Sequence, residues 1–294
     1  MDNGLKTALA KENTLLMNDG NRIPRLGMGV YLVPDGELCV ESIKMGLRMG
    51  YRLIDTAAAY ENERSVGRGM RESDVSREEI FLTTKLWVQD YGFESAKKAI
   101  DRRLERLGVD YIDMILLHRP AGDNAGAYRA LEQAQREGKI RSIGVCNHTP
   151  LQLKALMEQT SVIPAVNQME CHPLQQQKEL RALLRPNRIL LESWFPLGHG
   201  SKRLHFNDQI KTISNKYGKS ISQIILRWHI QEGFVVIPKS SNPEHQRENL
   251  EIFNFTLEET DMETIRGLDA NRYLGGDPED PEKFKAWLET RFDT

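Results

Sequence analysis

The chain has 294 residues, of which 39% are hydrophobic; this is enough for one large core, and a single domain over residues 1–294 is expected. Its 40 basic and 42 acidic residues are dispersed and leave a formal net charge of -2, which argues against a nucleic-acid face. Cys39, Cys146 and Cys171 lie far apart without CxxC spacing or histidine companions, which argues against a disulfide framework or a metal site and suits a reducing cytoplasm. The opening residues MDNGLKTALAKEN hold no apolar stretch long enough for a signal peptide. No later run approaches the roughly 20 apolar residues that a membrane span needs.

Taken in order, Thr14 to Val33 opens with two short extended runs around Asn18-Asp19-Gly20, a hairpin signal. Asp35 is expected to cap the next helix, which carries Cys39, Ile43, Gly46 and Leu47 on one face. Short apolar runs then alternate with amphipathic helices: RLID, IFLTTK, MILLH, SIGVCN, AVNQ, ILLESW and VVIPK. The clearest helix covers residues 94–107, with Ala96, Ala99, Ile100, Leu104 and Leu107 in one stripe. Thr149 with Gln152 and Ser220 with Gln223 read as capping boxes. Counting GMGVYLV, eight strand candidates alternate with helices, most of them continuously apolar as strands covered on both faces should be. The expected fold is therefore a (β/α)8 TIM barrel with an N-terminal β-hairpin. The rival doubly wound sheet wants a GxGxxG turn after its first strand. Gly27-Met28-Gly29 lies inside the first run instead, and Gly67-Arg68-Gly69 lies in a helix.

Chemistry in such a barrel gathers at the carboxyl ends of the strands. Asp55, Lys85, His118, Asn147, Gln168, Trp194 and Lys239 each close a different run, and Tyr60 follows just past its strand. A phenol is a poor acid at neutral pH unless a charged lysine stands close, itself held by an acid. Tyr60, Lys85 and Asp55 can form that set, and a neutral His118 can donate to a carbonyl oxygen on which charge grows. These four suit carbonyl reduction and imply a hydride-donating cofactor. Lys239 and Ser240 precede Asn242-Pro243, a capped helix start and so an anion site, which suggests a phosphorylated dinucleotide. Asn147 and Gln168 can pair with a carboxamide, and Trp194 offers a face to a flat ring.

Over essentially its whole length the chain resembles the aldo-keto reductase family. The resemblance is carried by DGNRIPRLGMG at 19–29, DTAAAYENE at 55–63, TTKLW at 83–87, LLH at 116–118, GKIRSIGVCN at 138–147, VNQMECHP at 166–173, PLG at 196–198, and IPKS with Glu248-Asn249. It implies Tyr60 as general acid, Lys85 and Asp55 as its tuning pair and His118 as the group orienting the carbonyl. It also implies NADPH as preferred cofactor, with nicotinamide contacts at Asn147, Gln168 and Trp194 and further contacts at Leu197, Lys239, Ser240, Glu248 and Asn249. A small-molecule carbonyl substrate and a monomer are expected.

Several positions depart from the family pattern. Cys146 and His148 flank Asn147 in place of serine and phenylalanine, and Trp194-Phe195 replaces tyrosine-serine. His245 stands where an arginine commonly pairs with the 2'-phosphate, which makes NADH a possible donor. Arg119 replaces a tryptophan and is expected either to bind an acidic substrate group or to cover the rim; Tyr31 and Trp87 are pocket walls or rim packing. Each residue alone also has a plainer role: Asp55 as a loop carboxylate, Tyr60 as packing, His118 as a core histidine, Lys85 as a strand-end charge. Two other functions fit the same barrel, an NADP(H)-binding sensor with little turnover and a lyase using Lys85 as a Schiff base. The tail after Asp269 folds over the mouth or packs on the barrel side.

Overall fold

The computed structural model describes residues 13–293; most of the opening stretch read above for a signal peptide lies outside them. Eight parallel strands form one sheet in sequence order: β3 (Met28–Gly29), β4 (Leu53–Asp55), β5 (Phe81–Leu86), β6 (Ile112–Leu117), β7 (Ile140–Cys146), β8 (Val166–Glu170), β9 (Leu190–Trp194) and β10 (Val235–Val236). Parallel bridges from Leu26 to Val236 and from Gly29 to Lys239 close the sheet on itself, with the Gly27 amide donating to the Val236 carbonyl at 2.8 Å. The closed sheet and its outer helices make the expected α/β barrel.

The hairpin expected at Asn18-Asp19-Gly20 is present as β1 (Thr14–Leu16) and β2 (Arg22–Pro24). Met17 and Ile23 pack into a cluster with Leu53, Phe81, Val166 and Val235, residues at the amino ends of strands. The hairpin therefore plugs the end of the barrel opposite the strand carboxyl ends and leaves the latter free for chemistry.

Apolar stripes fix the helix faces. Helix α1 (Glu37–Met49) buries Cys39, Ile43, Gly46 and Leu47 as expected. Asp35 does not cap it: the N-cap is Gly36, at φ 117, and the Asp35 carboxylate accepts from Ser65 Oγ. Helices α2 (Glu63–Arg71) and α3 (Phe93–Leu107) approach so closely that a Cβ on Gly67 would stand 1.9 Å from the Leu107 carbonyl oxygen. The α3 stripe buries Ala96, Ala99, Ile100 and Leu107, leaves Leu104 half-buried, and takes in Arg103, which pairs with buried Glu63 at 3.2 Å. Both capping boxes are present, on α5 (Pro150–Met157) and α9 (Ile221–Gln231); α4 (Asn124–Arg136), α6 (Lys178–Leu184), α7 (Lys202–His205), α8 (Asp208–Tyr217), α10 (Pro243–Leu250) and α11 (Glu259–Arg266) complete the outer layer. Among the described residues no helix is long and apolar enough to cross a membrane.

The tail resolves the choice left open by sequence. Its helix α12 (Pro281–Glu289) and the residues around it cross the carboxyl-end mouth. Trp87 Nε1 donates to the Thr290 carbonyl at 3.1 Å, Gln89 exchanges hydrogen bonds with the Phe292 backbone, and the Asp293 amide donates to Glu61 at 3.0 Å.

Candidate active site

Side chains alternate along a strand, and register decides which of them meet. Asp55 pairs in register with Thr83, so Lys85, two residues further along β5, projects from the same face. Lys85 Nζ donates to Asp55 Oδ1 at 2.5 Å and to the Thr56 carbonyl at 3.0 Å, with both side chains buried. Tyr60 ends a short 3-10 helix, Ala58–Tyr60, just past β4, and Lys85 Nζ lies 3.4 Å from its hydroxyl. Asn62 holds this turn in place: its Nδ2 donates to the Val30 and Val33 carbonyls, and its Oδ1 accepts from Thr56 Oγ1 at 2.7 Å. His118, one residue past β6, meets Tyr60 edge-on with ring centroids 5.9 Å apart and is backed by Trp87 at 5.1 Å. Asp55, Tyr60, Lys85 and His118 thus meet at the carboxyl ends of the strands.

Electrostatics here is a contest between burial and charge. Burial pushes Tyr60 up to about 12, and Lys85 is the strongest influence opposing that rise. The sequence reading had the lysine favouring phenolate; in the structure desolvation outweighs it, and the phenol keeps its proton at neutral pH. Burial alone would lower Lys85, but the nearby Asp55 carboxylate raises it and keeps it cationic. His118 falls well below its usual range through burial, with Arg119 and Lys85 adding repulsion, so its ring is neutral.

A second layer went unnoticed in the sequence. Gln168 and Glu192 are register partners on β8 and β9. Gln168 Nε2 donates to Asp55 Oδ2 at 2.8 Å and to Glu192 Oε2 at 2.9 Å, so two carboxyl groups lock the orientation of its amide. Glu192 Oε1 has no partner among the described residues, a state an ionised oxygen tolerates poorly. Burial, then the charge of Asp55, lifts Glu192 to about 8. The only signal was an acid inside the apolar run ILLESW. Glu192 is therefore protonated in the fold at neutral pH and ionises on unfolding, so its stabilising contribution is complete below about pH 4.5 and is lost as pH rises to about 8. Glu192→Gln should flatten the stability profile across that window by up to about 1.4 kcal/mol per pH unit in urea unfolding, and an unaltered slope would refute the assignment.

Asn147, expected to hold a carboxamide, has φ 61 and an amide already engaged: Nδ2 donates to the His118 carbonyl at 3.1 Å and contacts Cys146 Sγ at 2.9 Å, and Oδ1 accepts from Trp194 Nε1 at 3.0 Å. His148 braces this bend through Nδ1 to the Cys146 carbonyl and Nε2 to Asn124 Nδ2, and burial lowers it to about 4. Trp194 packs against Gly275 of the tail, where a Cβ would stand 3.0 Å from its ring. Glu170 pins the tail there by accepting from the amides of Leu274 and Gly275. Lys239 and Ser240 follow β10; Ser240 Oγ accepts from the Asn242 amide at 3.1 Å, and Asn242 caps α10, which carries exposed His245, half-buried Glu248 and buried Asn249. Leu197 is half-buried against the core, and Tyr31 is exposed at the mouth with its ring 5.1 Å from Tyr60.

A barrel closed at one end by a hairpin, with an acid, a lysine, a phenol and an imidazole at the other, defines a class of barrel oxidoreductase. The sequence model of the Aldo/keto reductase family matches residues 26–270. Methylglyoxal reductase DkgA of Escherichia coli (strain K12) is 41% identical over 274 residues, covering 92% of this chain and 98% of its own length. The glyoxal reductase of Bacillus subtilis (strain 168) is 42% identical over 270 residues, covering 92% and 97%. A Bombyx mori aldo-keto reductase, solved in complex with NADP, superposes with a TM-score of 0.84 at 30% identity, covering 92% of this chain and 96% of that one. The chain belongs to the aldo/keto reductase family.

Proposed function

We propose that the protein is an NADPH-dependent reductase that converts small aldehydes and ketones, including the dicarbonyls for which its relatives are named, to alcohols. The observation that carries this reading is the chain of contacts from Asp55 to Lys85 at 2.5 Å and from Lys85 to the Tyr60 hydroxyl at 3.4 Å, with neutral His118 against the tyrosine ring. When bound, the nicotinamide cofactor supplies the hydride. Tyr60 gives its proton to the substrate oxygen, Lys85 steadies the phenolate left behind, and Asp55 holds Lys85 charged and in place. His118 donates a hydrogen bond to the same oxygen. Trp87 and the tail keep water from the mouth.

The residues fit a phosphorylated dinucleotide. Both N–H groups of Gln168 are spent on carboxyls, and its Oε1, which accepts from the Cys146 thiol at 3.6 Å, keeps a second lone pair for a carboxamide amine. Ser240, buried beside Lys239 and the capped start of α10, suits a phosphate. His245 in the first turn of α10 weakens the grip on a 2'-phosphate relative to an arginine fork. The three cysteines, all free and buried, suit a cytoplasmic setting, and we read the chain as one domain acting as a monomer. The test is the loss of reduced-nicotinamide absorbance with methylglyoxal and glyoxal; no turnover with NADPH or NADH overturns the proposal. In the same assay His245→Arg should raise the NADPH-to-NADH ratio of kcat/KM by about tenfold, the effect of one charged hydrogen bond. An unmoved ratio means that the 2'-phosphate is held elsewhere.

A further inference from the structure

Arg119 follows His118 at the carboxyl end of β6, and Tyr91 fixes its backbone: the Tyr91 hydroxyl accepts from the Arg119 amide at 3.1 Å and donates to the Arg119 carbonyl at 3.0 Å. The guanidinium is half-buried, with its Cζ 4.8 Å from the Trp287 ring centroid in the tail helix. Among the described residues it forms no ion pair and no side-chain hydrogen bond, and its Nε is shut off from solvent without an acceptor. Packing on Trp287 occupies the face of the guanidinium, and the Nη groups, which are not closed off from solvent, have no acceptor among the described residues. The coplanar Nη donors match a planar anion such as a carboxylate, which can take two of them at once.

The guanidinium lines a cavity of about 250 Å³ together with Asn147, Trp194 and Trp287. The other charged groups on the cavity wall are Lys283, which donates to the Gly275 carbonyl, and Glu170, whose carboxylate is turned to the tail amides and His172. Two cations, one of them without an acceptor among the described residues, therefore face one acid that is already engaged. The volume lies just below the range of drug-sized ligand sites, typically about 300–1,000 Å³, and suits a small molecule.

We infer that Arg119 anchors a carboxylate of the substrate, and that the preferred substrates are short aldehydes and ketones bearing an acid group. This rests on the reductase reading of the same mouth and names its substrate class. His118 and Arg119 are consecutive residues, so a short molecule can present its carbonyl to one and its carboxylate to the other.

A matched pair of probes tests the assignment: succinic semialdehyde and its methyl ester, which differ only in the charge of the acid. The wild type should favour the acid in kcat/KM, and Arg119→Leu should lower the acid-to-ester ratio by roughly 10- to 100-fold, the worth of hydrogen bonds to a charged group. Effects on His118 cancel in the ratio because both probes share it. Arg119→Lys, which keeps the charge without the fork, should fall between the two. A wild-type ratio at or below one, or an unchanged ratio in Arg119→Leu, overturns the inference. If the wild type reduces methylglyoxal but neither probe, the inference is overturned; if it reduces none of these carbonyls, the reductase reading has failed and the anchor is judged by calorimetry with succinate in the presence of NADP+. Binding that is lost in Arg119→Leu sustains it, and no binding by the wild type overturns it.

Discussion

Tyr60→Phe is expected to lower kcat/KM for carbonyl reduction by about 100- to 10,000-fold, the usual worth of a positioned proton donor. The change removes one oxygen and keeps the ring, so the contacts to Tyr31 and His118 survive. Quenching of reduced-nicotinamide fluorescence should be retained, because no proposed cofactor contact passes through the hydroxyl. The pH dependence adds a check. With Tyr60 held at about 12, the donor stays protonated throughout the neutral range, so wild-type reduction should show no loss from tyrosine ionisation between about pH 6 and 9. A variant retaining more than about a tenth of wild-type turnover would remove Tyr60 from its role, since general acids contribute at least about 100-fold.

The second large effect is on the fold as well as on turnover. Lys85 and Asp55 are a buried ion pair, and Lys85→Met leaves the Asp55 carboxylate buried with the Gln168 amide as its one side-chain partner among the described residues. Removing one member of such a pair typically costs about 3–5 kcal/mol, readable in urea unfolding. Combining Lys85→Met with Asp55→Leu should restore much of that stability, since no charge is then stranded, while leaving turnover as low as in the single variant. A double variant no more stable than Lys85→Met would mean that the loss comes from packing rather than from a stranded charge.

How much was legible beforehand follows from the range of the interactions. The strands could be read because each is a short apolar run with a polar residue at its carboxyl end, and barrel geometry turns that pattern into a shared mouth. The capping boxes were equally readable, since donor and acceptor lie three residues apart. Asp35 misled because an acid beside a helix start is a sound local signal; the chain bends one residue later, and Ser65, 30 residues on, takes the carboxylate. Asn147 is readable as an amide at a strand end that can pair with a carboxamide; that the same amide also meets His118 and Trp194, the latter 47 residues away, is not. Glu192 escaped because nothing in ILLESW says that the acid faces a glutamine on the next strand.

By itself the sequence determined the barrel, its hairpin and the residues gathered at its mouth, because periodicity, turn chemistry and strand-end position are local properties. Tertiary structure alone decided that Gln168 reaches Asp55 across 113 residues, that the tail ties Thr290 to Trp87 across 203, and that Arg119 lies beneath Trp287 without an acceptor among the described residues. Such contacts depend on where distant segments meet once the sheet has closed, and no local pattern encodes that.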